Sequence, residues 1–201
     1  MPTKRVMVAP SLAPSAAIEH EREPPFAVYY KDAAMPAGFH PMRKSGSVYY
    51  VPFDAPLRVQ TSTTRLEAHD HSAATLRVSK DFASFLNAVE ESVFDAALQR
   101  RKVWFKKELG EDELRAGFKS FLADDTVEVK VADDCVAFDE NGEQVDLPVG
   151  SRVRCILELT GVCFGRTEFG CMWTLVQAQK LSSPKCLIDP SAGTDFAANF
   201  A

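Results

Sequence analysis

Between Arg100 and Lys107 the chain carries five cations around two adjacent aromatic residues: Arg100, Arg101, Lys102, Trp104, Phe105, Lys106 and Lys107, with Val103 among them. Ammonium and guanidinium groups neutralise phosphates, and indole and phenyl rings stack on bases. The run therefore has the chemistry of a surface that holds a single nucleic-acid strand. The same residues also suit a helix C-terminus, where the helix dipole favours cations and the two rings turn into the core. Both readings stand on the sequence alone.

A second group emerges from the last two long apolar stretches, Arg152 to Phe164 and Phe169 to Leu181, joined by Gly165-Arg166-Thr167-Glu168. If Phe164 faces Phe169 across that turn, Arg154 meets Gln179, Ile156 meets Gln177 and Thr160 meets Trp173. Strict alternation then puts Arg152, Arg154, Trp173, Leu175, Gln177 and Gln179 on one face. Val153, Cys155, Leu157, Leu159, Val176 and Ala178 form the other, which reads as the core side. Cations, amides and one large aromatic make the first face a binding candidate, or else a face covered by helices.

Other chemistry is sparse. His69-Asp70-His71 sets two imidazoles two residues apart, on one face if the segment is a strand, but only Glu67 stands near enough to join a metal site, and a solvated loop is expected. The five cysteines (Cys135, Cys155, Cys163, Cys171 and Cys186) include no pair with a two-residue gap, so they read as buried free thiols. No glycine-rich phosphate loop, nucleophile elbow or His-Glu-x-x-His run occurs, so neither catalysis nor a metal or organic cofactor is expected.

The elements that must position these residues follow from periodicity. Seven of the twelve prolines fall in the first 46 residues, which lack a sustained period and read as a flexible arm, 1–46. Short strands are expected at Val48–Val51, Leu57–Thr61 and Leu76–Ser79. Phe82, Phe85, Leu86, Val89, Val93, Ala97 and Leu98 predict a helix from Asp81 to about Arg101. Leu114, Phe118, Phe121 and Leu122 predict a second, opened by Glu111-Asp112-Glu113 after Gly110. Val127, Val129 and Val131 then switch to strand period, and Asn141-Gly142 marks a hairpin turn. The fold expected is mainly β with a helical insertion: an OB-type Greek-key barrel over 47–181, with two helices between strands, a long C-terminal hairpin, and a flexible tail, 182–201.

The net charge of −5 excludes a uniformly basic protein, yet the acidity is uneven. Residues 123–201 hold thirteen acidic against six basic side chains, while 1–46 hold four against six, which leaves room for a local cationic surface. No apolar run follows Met1, so the expectation is a non-secreted, non-membrane protein of cytoplasm or nucleus.

The stretch Phe82 to Lys107, then Val149 to Phe164 and Phe169 to Gln177, resembles single-stranded-DNA-binding proteins of large nucleocytoplasmic DNA viruses. Those are similar to the OB-fold binding protein of some tailed phages, in which a helical segment interrupts the barrel and a long hairpin closes it. The resemblance runs from about Ala55 to Leu181, and its distinctive elements are Leu-x-Gly-x-x-Phe, Phe-Gly and Trp-x-x-Val-Gln of the last hairpin. It implies coating of transient single strands during replication, recombination and repair without a cofactor, as a viral protein of the infected cell or virion, compatible with a homodimer. The phage proteins carry a strongly acidic tail, whereas residues 182–201 here hold only Asp189 and Asp195 against Lys185. What the resemblance leaves to this tail is contact with replication proteins through Phe196 and Phe200. The competing class is a β-rich assembly protein that uses its N-terminal arm for protein contacts; a small enzyme is third.

Overall fold

In the computed structural model, which describes residues 27–46 and 48–182, the alternating stretches become strands and the three-and-a-half-residue stretch becomes one long helix. The strands are β1 (Val28–Tyr29), β2 (Arg43–Ser45), β3 (Val48–Gln60), β4 (Thr64–His69) and β5 (Ala73–Arg77). Helices α1 (Lys80–Gln99), α2 (Arg101–Trp104) and α3 (Glu111–Gly117) follow. The chain returns to strands with β6 (Leu122–Ala123), β7 (Thr126–Phe138), β8 (Arg152–Phe164), β9 (Phe169–Cys171) and β10 (Thr174–Lys180). Ser79 caps α1, its hydroxyl accepting from the Phe82 amide at 3.3 Å. Among the described residues no helix is long and apolar enough to cross a membrane.

The sheet closes on itself. The pairing order β8-β10-β7-β5-β4 is completed by β4 against β8, which makes a five-stranded barrel. Taking β3 and β4 as one interrupted first strand, the order around the wall is first, second, third, fifth, fourth, and back to the first. β7 and β10 are parallel, and the other barrel pairs are antiparallel. This is the OB-type Greek-key barrel expected from the sequence, with helices inserted between β5 and β7. Its interior is lined by Val59, Leu66, Leu76, Val127, Val129, Val153, Cys155 and Leu157, all buried.

Three local features depart from the sequence reading. β3 is one strand of thirteen residues; Pro52 and Pro56 sit where its ladder with β8 shifts register, rather than between two strands. Residues 27–46 were expected within the flexible arm, but β1 and β2 pair with β3, Phe39 bridges Phe53, and Tyr30 is buried against Phe82. The apolar gain of seating Tyr30 and Phe39 offsets the ordering cost that their proline-rich surroundings would otherwise leave unmet. The second helix stops at Gly117, and Phe118 bridges Phe169 as extended chain instead of continuing the helical stripe.

Candidate nucleic-acid interface

The two candidate groups fall at opposite ends of β8. α2 carries the basic run to the barrel end where β8 turns into β9. There Trp104 packs on Phe39 and Phe164, with ring centroids 5.2 and 5.7 Å apart, and Phe105 packs on Phe164 and Phe169 at 5.5 and 4.9 Å. Trp104 is only 6% exposed. A buried ring cannot stack on a base, so Trp104 is corrected from binding residue to core residue, and Phe105, half-buried, anchors the same aromatic cluster. Of the cations, Arg101 is half-buried and the other four are exposed. Lys102 pairs with Glu108 at 3.1 Å, Arg101 donates to the Leu98 carbonyl at 2.9 Å, and Arg100 lies 5.0 Å over the Phe39 ring. Lys106 and Lys107 are exposed and make no ion pair among the described residues.

At the other end of β8 the outer wall is built from alternate residues of three strands. Gln60 on β3 pairs with Ile156, Gln177 on β10 also pairs with Ile156, and Gln179 pairs with Arg154, as the hairpin register requires. Their inward neighbours Val59, Cys155, Leu157 and Ala178 are buried, so Arg152, Arg154, Gln177 and Gln179 do share the outer face. β7 adds Val136 and Phe138, which pair with Gln177 and Gln179. A groove of about 420 Å³ lies here, lined by Gln60, Ile156, Arg154, Gln177, Gln179 and Phe138.

Trp173 does not join this face. It is 1% exposed and points into the barrel beside Leu175. The cause is a bulge. Leu175 pairs with Leu157 and Gln177 with Ile156, so Val176 has no partner, and the parity of β10 reverses there. Val176, expected in the core, is only half-buried for the same reason.

The groove's electrostatics are graded. Arg152 and Arg154 are exposed and form no ion pair within 4 Å among the described residues, whereas further along the wall Arg58 is clasped by Glu158. On the β7 side the Asp139 carboxylate accepts from the amides of Asn141 and Glu143 at 2.8 and 2.9 Å. Those and neighbouring hydrogen bonds hold its titration below the usual carboxylate range and build the turn that Asn141-Gly142 predicted, with Gly142 at φ +84°. Glu140 is lowered chiefly by hydrogen bonds from Ser182, with a smaller pull from Arg154. A polyanion lying here is therefore drawn to the β8 side, over the two arginines, with its less charged edge toward Ile156, Val136 and Phe138.

The β4–β5–β7 wall, which also faces solvent, is charge-compensated: Arg77 reaches Glu67 at 2.9 Å and Asp125 at 2.6 Å. In the turn between β4 and β5, the Asp70 carboxylate accepts from Ser72 and Ala73, so the His69-Asp70-His71 segment is a tight Asx turn. Among the described residues no three His, Cys, Asp or Glu side chains gather as a metal-holding group. Cys155 and Cys171 are buried, and burial pushes the Cys155 thiol up to about 12. Cys186, Phe196 and Phe200 lie outside the described residues. Gln60 and Phe138 are the groove residues that sequence reasoning missed. Gln60 lies within a run read only as strand, and Phe138 precedes a turn that drew attention to itself.

No curated protein matches the chain. Among the solved structures that resemble it, three examples share 12% identity with it. The single-stranded DNA-binding protein of bacteriophage Enc34 in C-terminally truncated form has a TM-score of 0.41, covering 73% of this chain and 96% of that one. Gp2.5, a single-stranded DNA-binding protein encoded by bacteriophage T7, has a TM-score of 0.45 over 66% and 96%. The Enc34 protein in complex with single-stranded DNA has 0.40 over 75% and 98%. A family model described as a family of unknown function (DUF5871) matches residues 64–191, from β4 through the whole remaining barrel. That match spans more than half of the chain, and the chain belongs to this family.

Proposed function

We propose that this protein binds single-stranded DNA with little sequence preference along the outer wall formed by β3, β8 and β10. The observation that carries the reading is the groove in which Arg154, without an ion pair among the described residues, and the amides of Gln60, Gln177 and Gln179 surround the apolar surface of Ile156 and Phe138. Cation, flat ring and amide together serve the phosphate, the base face and the base edge of an unpaired strand, and an OB-type barrel is a common frame for that combination. A duplex buries its base faces and offers the ring nothing to stack on. The protein acts by holding DNA, not by transforming it. Its service is to protect transient single strands during replication, recombination and repair in the cell, in the manner of the proteins of large nucleocytoplasmic DNA viruses. Contacts to replication proteins are assigned to Phe196 and Phe200 of the tail.

The test is a fluorescence titration with oligo-dT and with duplex of equal length across a salt series. Tight oligo-dT binding that weakens steeply with salt, and much weaker duplex binding, is the expected result. Equal affinity for both, or none for either, overturns the reading.

A further inference from the structure

We propose that the β2–β3 hairpin is a second contact for the same strand, remote from the groove, with Tyr49 as a base-stacking ring and Lys44 as its phosphate partner. The inference rests on the single-strand reading above.

Tyr49 is 49% exposed, the most open of the described tyrosines. Its pairing partner on one side is Lys44, whose Nζ stands 5.9 Å from the ring centroid. On the other side is Phe164, a buried member of the cluster that holds Trp104 and Phe105. The ring is thus fixed at its root, with Lys44 over one face and about half of the residue open to solvent, an arrangement that makes stacking cheap in conformational entropy. Arg43 pairs with Tyr50 on the opposite side of the ribbon, and Tyr50 is itself tied down by its hydroxyl, which donates to the Thr160 carbonyl at 3.0 Å. Neither Arg43 nor Lys44 forms an ion pair among the described residues. Arg43 and Lys44 pair in register with Tyr50 and Tyr49, so the cations are held by a strand ladder rather than carried on a loop. Phe105 brings the following Lys106 and Lys107 to the same end of the barrel.

Along β8, which pairs with both, Tyr49 (opposite Phe164) and Gln60 (opposite Ile156) stand eight residues apart, roughly 26 Å of strand. A short oligonucleotide in the groove therefore cannot reach the hairpin, and a long one can. Wild type, Tyr49→Ala, Tyr49→Phe, Lys44→Gln and Arg154→Ala are titrated with oligo-dT of about 4 and about 16 nucleotides, within the ~4–16 nucleotide sites of such barrels. Melting temperatures are recorded for each variant. Tyr49→Ala is expected to weaken the long oligonucleotide roughly tenfold, the scale of one lost base stack, and to leave the short one unchanged. Tyr49→Phe should retain wild-type affinity, Lys44→Gln should weaken only the long oligonucleotide, and Arg154→Ala should weaken both. Unchanged long-oligonucleotide affinity in both Tyr49→Ala and Lys44→Gln overturns the hairpin contact, as does an equal loss for both lengths. If wild type binds neither length, the groove reading itself has failed.

Discussion

Trp173 and Arg154 stand on opposite sides of the barrel wall, although strict alternation along β10 and β8 would place them together. Trp173 is enclosed beside Leu175, while Arg154 faces solvent across from Gln179. The unpaired Val176 separates the two halves of β10, so the indole belongs to the core and the amides to the surface. Stability and binding are thereby assigned to different residues of the same strand.

Trp173→Ala should cost about 3–5 kcal/mol, because it empties the largest fully buried side chain. Urea denaturation measures the loss. Oligo-dT affinity per folded molecule should be unchanged, and a specific binding defect in a fully folded variant would contradict the burial of this ring.

Arg154→Ala should leave the melting temperature within about a degree of wild type, since the side chain is exposed and makes no ion pair among the described residues. Affinity should fall by a similar factor for dT, dA and mixed oligonucleotides, and the slope of log affinity against log salt should flatten by about one. Parallel salt titrations of variant and wild type supply both numbers.

Gly161→Ala should destabilise the fold by about 3 kcal/mol. A β-carbon there would collide with the Val51 carbonyl oxygen and come within 2.8 Å of the Pro52 Cα, where β3 crosses β8. Both neighbours are backbone, so no side-chain rotation relieves the clash. Chemical denaturation should show the loss, and far-ultraviolet circular dichroism should show the barrel retained below the transition.

Glu90 supplies a pH dependence. It is buried on α1, where it accepts the Phe121 amide at 3.2 Å, and burial pushes its carboxyl above the usual range despite hydrogen bonds from Ser120 and Phe121. The folded chain thus keeps a proton that the unfolded chain has already released, so stability attributable to this group falls as pH rises above the ordinary glutamate range. Glu90→Gln, whose amide oxygen can accept the same bond, should melt a few degrees higher than wild type near pH 7. The difference should shrink toward pH 4, and thermal melts across that interval test it.

Much of this architecture is legible in the sequence because periodicity and turn chemistry are local. Phe82 to Ala97 announce α1, Val127 to Val131 announce β7, and Asn141-Gly142 marks its turn. The last hairpin is in the expected register at both ends, Phe164 against Phe169 and Arg154 against Gln179. What fails to show is whatever depends on a distant partner. β4 was missed, and Val176 looks like any strand valine until β7 and β8 both skip it. Trp104 and Phe105 carry no sign of which way α2 turns, because Phe39 and Phe164, which receive Trp104, are more than fifty residues away. The apolar content of residues 27–46 is too thin to reveal that Tyr30 and Phe39 have places waiting.

β8 is the partner of β3, β4, β9 and β10 at once, and its contacts with β3 join residues about a hundred positions apart. A chain emerging from the ribosome thus holds β3 without its wall partner, and β4 paired only with β5, until β8 has been made. Closure is then a late event of high contact order, which makes the protein a slow folder for its size. In the interval, strands β4, β5 and β7 form an open meander with the α1 helix alongside, its apolar face uncovered and dependent on chaperones or low concentration to stay unassociated.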